Sequence, residues 1–198
     1  SNALDACVSG NNNVAIGDFS LTNYTGNGNT AVGHDSLNAC TTGSVNTAVG
    51  NEALKSTTTG SSNSAFGQSA LALNTTGSNN IAMGRNALDA NTTGASNTAL
   101  GFQALSENTT ADGNVAVGVN ALHVNTTGAS NTAVGAYALD ANTTASNCTA
   151  VGHNALTGNV DTSSNTAIGS NTLTVNTGGS YNTALGTGSL SGNTTASY

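Results

Sequence analysis

This chain has no proline, no tryptophan and almost no positive charge. Aromatic residues make up 4% of its 198 residues and charged residues 6%, and the formal net charge is -7. Lys55 and Arg85 are its two cations, so the sequence contains no basic region for nucleic acid or for an anionic membrane. Large apolar residues are too few for a three-dimensional core. The composition therefore argues against an ordinary globule.

Signals for membranes and metals are missing as well. No window of the sequence approaches the roughly 18 consecutive apolar residues of a membrane-spanning helix, and no secretory signal peptide is visible. The Gly-Gly-x-Gly-x-Asp pattern of calcium-binding β-rolls is absent from the sequence. We therefore expect no obligatory metal and no cofactor.

Cysteine is scarce and irregularly placed. Cys7, Cys40 and Cys148 show no metal-ligand spacing, and the last two stand where other repeats carry Asn, which indicates tolerated small residues. Cys7 and Cys40 occupy the same repeat position two turns apart. Stacked strands would separate them by roughly 9–10 Å, too far for a disulfide within one chain. A bond between chains remains open.

What the chain does have is a strict period. Glycine recurs every 17 residues, and Gly17 lies 16 residues before the first of this series: Gly33, Gly50, Gly67, Gly84, Gly101, Gly118, Gly135, Gly152, Gly169 and Gly186. The unit reads Asn-Thr-Ala-Val-Gly-x-x-Ala-Leu-x-x-Asn-Thr-Thr-Gly-x-x. Such a period is typical of a solenoid with a thin core along one axis. We predict an all-β fold, a parallel β-roll or β-solenoid of about eleven 17-residue turns, with a partial repeat over 1–12 and the array over 13–198.

Three unbroken columns run through these repeats, and we expect the fold to depend on them. Gly closes a tight corner, Ala stands two residues before it, and Leu stands four residues after it. The columns include Ala15, Ala31, Ala116, Ala133, Gly17, Gly33, Gly118, Gly135, Leu54, Leu122 and Leu139. The Asn-Thr-Ala-Val segment predicts a strand, and Ala-Leu predicts a second short strand because no room is left for a helix. Asn-Thr-Thr-Gly predicts the turn, with Asn side chains stacked in a hydrogen-bonded ladder.

The strand is apolar on both of its faces. Ala and the varied apolar residue that follows it are neighbours, so their side chains point to opposite sides. One side fills the interior, and the other leaves a stripe about 50 Å long in water, from eleven turns at about 4.8 Å each. Such a stripe is typical of an interface, and a homotrimer around a parallel axis would bury it, with Ala permitting close approach. The alternative is that Ala packs against the opposite wall of a monomeric roll.

The repeat register holds at both ends of the chain. Residues 3–10 align with residues 87–94, and residues 193–198 stop in mid-repeat. Solenoids need caps that cover the ends of their cores, and neither end differs from the middle. We therefore expect this chain to be a fragment of a longer protein, with Ser1–Ala3 as a candidate expression scar.

The repeats resemble the head domain of YadA-like trimeric autotransporter adhesins. That family carries Asn-Ser-Val-Ala-Ile-Gly-x-x-Ser, and the counterparts here are residues 13–20 and 29–36. The match recurs in every repeat and so covers essentially the whole chain. It implies a left-handed parallel β-roll, a homotrimer and an extracellular place on the bacterial cell surface, anchored to the outer membrane through a missing C-terminal part. The 17-residue period is longer than is usual in the family, and Ala replaces Ser after Gly in the middle repeats. Similar arrays occur in phage tail fibres, which leaves a virion fibre as another location.

No enzyme constellation stands out. His34 and His153 follow the corner Gly, and His123 follows an Ala-Leu pair, at positions that elsewhere hold other loop residues. No carboxylate or nucleophile recurs beside them. We expect no catalytic activity. Turn chemistry explains the many Asn-x-Thr sequons better than glycosylation does.

Our first functional hypothesis is a structural and adhesive module. A rigid trimeric adhesin head would display an Asn/Thr-rich surface to host cells or extracellular matrix, with no nucleic acid partner and no insertion of this segment into a membrane. Phe102, Tyr137 and His153 are the candidate surface contacts, because exposed aromatic and imidazole groups can anchor a partner.

The second hypothesis, from a different class, is an ice-binding β-solenoid. A regular column of threonines could order water: Thr41, Thr58, Thr75, Thr92, Thr109, Thr126 and Thr143. Against it, the paired Thr residues are adjacent, so in a strand they would face opposite ways and leave a row only one Thr wide. A phage tail-fibre shaft is a third reading, which genomic context would separate from an adhesin.

Overall fold

The described part of the chain contains eleven three-residue strands, one in each coil of a solenoid. The computed structural model describes residue 3 and residues 10–22 and 24–197. The strands are β1 Val14–Ile16, β2 Thr30–Val32, β3 Thr47–Val49, β4 Ser64–Phe66, β5 Ile81–Met83, β6 Thr98–Leu100, β7 Val115–Val117, β8 Thr132–Val134, β9 Thr149–Val151, β10 Thr166–Ile168 and β11 Thr183–Leu185. Each strand begins just after the Asn of the repeat, or after Cys148 in β9, and ends just before the corner Gly.

All eleven strands belong to one parallel sheet, in chain order from β1 to β11. Identical repeat positions pair across the sheet, so that Ala116 lies opposite Ala133. The predicted all-β parallel solenoid with 17-residue spacing is confirmed, with about ten complete turns. The described residues form no helix. A helix long and apolar enough to cross a membrane is therefore absent from this part of the chain.

The second strand predicted for the Ala-Leu segment was wrong. This segment lies in a turn, and its Leu has a left-handed backbone: Leu122 has a φ of 51°. Two further residues of the same coil are left-handed, Asn120 at 54° and Ser130 at 58°. Left-handed residues cannot continue an extended strand. The backbone still bonds to the next coil here, since the Leu122 amide donates to the Ala138 carbonyl at 3.0 Å.

The corner Gly is required by both its backbone angle and its neighbours. Gly135 has a φ of 136°, and a Cβ on it would lie 2.4 Å from the carbonyl oxygen of Gly152 in the next coil. L-residues rarely adopt this φ, and the Cβ would overlap backbone. Adjacent coils thus approach each other closely at this corner, which explains the unbroken Gly column.

The core is a thin stack of Ala and Leu side chains. Ala116, Ala121 and Leu122 of one coil are fully buried, and the same three positions are buried in most other coils. The Ala column therefore faces the interior of its own chain, as the monomeric alternative had it. Close approach of neighbouring chains through this column, which the sequence had suggested for the trimer axis, does not fit its location.

Two ladders of buried Asn side chains run beside this core, and the one formed by the Asn of the turn confirms the predicted Asn stacking; the other was not predicted. In the first ladder, the Asn that precedes each strand accepts a backbone hydrogen bond from its counterpart in the next coil: Asn114 Oδ1 accepts from the Asn131 amide at 2.9 Å. In the second, the Asn of the Asn-Thr-Thr turn bonds side chain to side chain, as Asn125 Nδ2 does to Asn108 Oδ1 at 3.1 Å. All four side chains are buried.

The shorter first full repeat places one large side chain inside the solenoid and keeps the strand register. Tyr24 is fully buried at the ladder position that Asn occupies in the middle coils. Its hydroxyl donates to the Gly43 carbonyl in the following coil. The Asn at this position elsewhere donates instead within its own turn, as Asn91 does to the Gly94 carbonyl at 3.0 Å, so the longer Tyr side chain reaches a different carbonyl.

Candidate functional site

The described residues form no pocket and bring no three His, Cys, Asp or Glu side chains together around a metal position. Candidate sites therefore lie on the faces of the rod. Three surfaces stand out: the outer face of the sheet, the corner that follows Gly, and the turn that contains the Thr pair.

The outer face of the sheet carries the apolar stripe that the sequence predicted. Its apolar column consists of the last residue of every strand, half-buried or exposed: Ile16, Val32, Val49, Phe66, Met83, Leu100, Val117, Val134, Val151, Ile168 and Leu185. Phe66, Met83 and Val134 are 37%, 41% and 37% exposed. The first residue of each strand points the same way and is most often Thr. No strand residue is charged, so this face is neutral from end to end.

The three predicted surface contacts lie on the corner after Gly, but they do not form one cluster. The Tyr137 ring meets the His153 ring edge to face, with centroids 6.2 Å apart. Phe102 lies two coils away from Tyr137 and packs under the Arg85 guanidinium, 4.9 Å from its ring centroid. Phe102 and Tyr137 are 36% and 39% exposed. They are available at the surface, yet each ring already has a neighbour along the solenoid axis.

His34 belongs to an ionic cluster rather than to a catalytic pair. Asp35 lies 3.3 Å from the Lys55 ammonium and 3.5 Å from His34 Nδ1, and Asn38 donates to it at 2.6 Å. Burial alone would raise the pKa of Asp35, but the hydrogen bonds from Asn38 and Lys55 and the nearby positive charges outweigh it, so the pKa is lowered. Lys55 also donates to Glu52 at 2.9 Å, and its hydrogen bonds to Glu52 and Asp35 raise the pKa of its ammonium.

One line of polar residues along the solenoid was not predicted from the sequence. Ser106, His123 and Asp140 occupy one repeat position in three successive coils, and Ser106 Oγ lies 2.7 Å from His123 Nδ1. Burial raises the pKa of Asp140, whose Oδ1 is buried without a hydrogen bond, and it also raises the pKa of Asp89. The spacing of 17 between these residues was the signal that could have revealed the line. Ser106 is only 4% exposed, so its hydroxyl is closed off from a substrate.

The two described cysteines are buried thiols. Cys40 takes the place of Asn in the second ladder and Cys148 in the first, and both are free. Burial raises the pKa of Cys40 to about 11 and also raises the pKa of Cys148. A buried thiol with a raised pKa is a poor nucleophile, so neither is placed for the bond between chains that the sequence left open. Cys7 lies outside the described residues.

The Thr pairs of the Asn-Thr-Thr turns both reach the surface. In the pair Thr92–Thr93 the first side chain is half-buried and the second exposed. The opposite orientations expected for a strand do not apply, because this segment is a bend. The Asn before each pair is buried in the second ladder, as Asn91 is, so turn chemistry accounts for these sequons and the amide is hidden in the folded chain.

Three surfaces are therefore available to a partner: the sheet face, the corner after Gly and the Thr pairs. No protein-family model, curated protein or solved structure matches this chain.

Proposed function

We propose that this chain is a rod-shaped surface module, the left-handed β-roll of a trimeric adhesin head. The observation that carries the proposal is the continuous, uncharged apolar column on the outer face of β1 to β11. Similarity of the repeats to YadA-like heads supports the same reading. The module needs no cofactor and acts outside the cell, on a bacterial surface.

Burial of the sheet face is the physical reason for three chains. The stripe is roughly 50 Å long, from eleven strands at about 4.8 Å each. A continuous apolar surface of this length is unusual on a monomer, whose exposed apolar residues are mostly scattered singly. Thr or Ser begins eight of the eleven strands, and Val or Ile begins β1, β5 and β7, so most of the face is lined by small side chains beside the apolar column. Three such faces meeting at a common axis would remove the stripe from water, while the charged and aromatic corner stays outside.

Adhesion is assigned to that outer corner. Arg85, Phe102, Tyr137 and His153 follow one another along it and provide a cation, two rings and an imidazole. Such groups are frequent among residues that dominate binding to a partner. A rigid backbone holds them at fixed spacing, so little ordering cost is expected on binding. The partner class is a receptor on a host cell or in the extracellular matrix.

Light scattering on the intact chain tests the assembly. One chain has a mass of 19.1 kDa, so we expect about 57 kDa, three times that value, at micromolar concentration. The double variant Val117→Glu/Val134→Glu places charge on the sheet face and is expected to give monomers. Val119→Glu is the matched control, because Val119 is 43% exposed but lies outside the strands. A mass near 19 kDa for the folded wild type would refute the trimer.

Adhesion is tested separately with fluorescently labelled chain on host cells and matrix proteins. We expect binding that weakens when Phe102 and Tyr137 are both changed to Ala. Leu73→Ala is the control, since this side chain is 54% exposed on a different part of the coil. Binding to bacterial cells alone would favour the phage-fibre reading over the adhesin.

A further inference from the structure

We propose that the Thr-Thr turns form an ice-binding face. This Thr-pair face comprises seven pairs in seven consecutive coils: Thr41–Thr42, Thr58–Thr59, Thr75–Thr76, Thr92–Thr93, Thr109–Thr110, Thr126–Thr127 and Thr143–Thr144. It is distinct from the sheet face assigned to self-association and from the aromatic corner assigned to adhesion. Its ligand would be the surface of an ice crystal.

The first Thr of each pair is held in one orientation. Its hydroxyl donates to the backbone carbonyl of the first Thr in the next coil, at distances of 2.9–3.2 Å for all seven pairs, except that Val160 accepts from the last. A hydroxyl fixed in this way also fixes the γ-methyl on the same β-carbon. The seven methyl groups and hydroxyl oxygens therefore repeat with the spacing of the coils, about 4.8 Å.

The second Thr of each pair is exposed, and its hydroxyl is free. Thr59, Thr76, Thr93, Thr110 and Thr127 make no side-chain hydrogen bond within the described part of the chain. Their backbone is held nevertheless. The Thr92 carbonyl accepts from the amides of both Thr75 and Thr76, at 2.8 and 3.2 Å. Each coil thus presents two methyl groups and two hydroxyls, one hydroxyl committed to the chain and one open to water.

The chemistry of this face points to a neutral, periodic ligand. None of the fourteen residues is charged or aromatic, and the run ends where Val160 and Asp161 replace the pair in the next coil. Asp112 is a charged neighbour, and its carboxylate already accepts from the Ala95 amide at 2.7 Å. A single binding pocket would not need seven identical copies of a pair. A crystal lattice, by contrast, can contact every copy in the same way.

Ice and a neutral polysaccharide are both uncharged, periodic ligands, and ice fits this face better. Proteins bind sugar chains by stacking them on aromatic rings and by enclosing them in clefts. This face has neither feature. Rows of methyl groups order the adjacent water, and rows of hydroxyls can bond that water into a lattice. Pre-set side chains reduce the ordering cost of binding. Each element needed to hold a sheet of ordered water is therefore present on the rod itself.

Thermal hysteresis and ice recrystallisation of the full 198-residue chain test the proposal. We expect both activities at micromolar protein. Thr93→Tyr places a bulky ring in the centre of the face and is expected to reduce the hysteresis several-fold, with an unchanged circular dichroism spectrum. Asn86→Tyr is the matched control, because it adds the same ring at the repeat position where Tyr137 already occurs, and it should retain full activity.

Three results would overturn the ice-binding face. They are the absence of both activities in the folded wild type, an equal loss in the two Tyr variants, and binding of a neutral polysaccharide that Thr93→Tyr abolishes. The outcome is independent of the oligomer: a monomer in light scattering with hysteresis lost only in Thr93→Tyr would remove the trimer and keep this face.

Discussion

The side-chain amide of Asn108 donates a hydrogen bond to Oδ1 of Asn91 at 3.0 Å, one coil away, inside the solenoid. The same amide donates to the Ala111 carbonyl at 3.1 Å, and both Asn side chains are fully buried. Each Asn is thus a donor to the coil before it and an acceptor for the coil after it. Such a chain of amides adds a side-chain connection between neighbouring coils to the backbone hydrogen bonds that already join them.

Removing one rung should therefore destabilise the whole rod. In Asn108→Ala, Asn125 loses the acceptor of its 3.1 Å hydrogen bond and Asn91 loses a donor. A buried polar group without a partner costs about 1–3 kcal/mol, so the free energy of unfolding should fall by at least that much. Chemical denaturation measures it. Glu107→Ala, at the exposed neighbouring residue, is the control and should change stability little; an Asn108 variant as stable as this control would contradict the ladder.

Two adjacent residues of β7 separate the tight interior from the adaptable exterior. Ala116 is fully buried in a column that contains only Ala, whereas Val117 faces outward in a column that accepts Ile, Leu, Met and Phe. Ala116→Leu should overpack the core and cost roughly 1–3 kcal/mol per chain. Val117→Leu should cost much less. Equal melting temperatures for the wild type and Ala116→Leu would show that the interior has room to spare.

The sequence predicted the parts of this fold that depend on the period. An unbroken 17-residue repeat fixes which residues stack on one another, and so it predicted the parallel register, the apolar stripe and the Asn ladder of the turns. The direction in which each side chain points within a coil was harder to predict. Ala is small enough for either a core or a tight interface, and the sequence therefore left both roles open for Ala116.

The errors arose where the backbone departs from extended geometry. Leu122 has a φ of 51°, a conformation that its residue type disfavours, so a pattern-based prediction of a strand was wrong there. The same cause affected the Thr pairs, because strand alternation was assumed for a bend. The Ser106–His123–Asp140 line was missed because the residue type at this repeat position changes from coil to coil.

The corner Gly offers a test that distinguishes backbone strain from steric overlap. Gly135→Ala combines a φ of 136° with a Cβ only 2.4 Å from the Gly152 carbonyl oxygen, whereas Gly186 has a φ of 109° and nothing within 4 Å of its Cβ position. Strain alone costs of the order of 1–3 kcal/mol, so Gly186→Ala reports that part. Gly135→Ala should lose more, because adjacent coils would have to separate. Thermal unfolding compares the two, and equal losses would exclude the overlap as a cause.

The stability of the rod should rise as the pH falls from 7 towards 4. Burial raises the pKa of Asp89 and Asp140 above the ordinary value of 3.8, against the opposing effect of backbone hydrogen bonds and His123, with Glu107 adding to the rise at Asp89. A carboxyl group whose pKa is raised by folding contributes stability that is complete below its unfolded pKa and is lost as the pH rises through its folded pKa. Protonation of these partly buried groups therefore relieves the cost of burying their charge.

Below about pH 4 the trend should reverse, because Asp35 behaves in the opposite way. Its hydrogen bonds from Asn38 and Lys55 leave its pKa lowered from 3.8, so the stability that it contributes is present above its unfolded pKa and is lost as the pH falls through its folded pKa. Melting temperatures between pH 7 and pH 2.5 should thus pass through a maximum near pH 4. The double variant Asp89→Asn/Asp140→Asn should flatten the rise on the alkaline side. Asp112→Asn/Asp161→Asn removes two exposed carboxylates and so makes the same change in net charge. If this charge-matched control flattens the curve equally, the rise reflects general repulsion in a chain of net charge -7 and not the burial of Asp89 and Asp140.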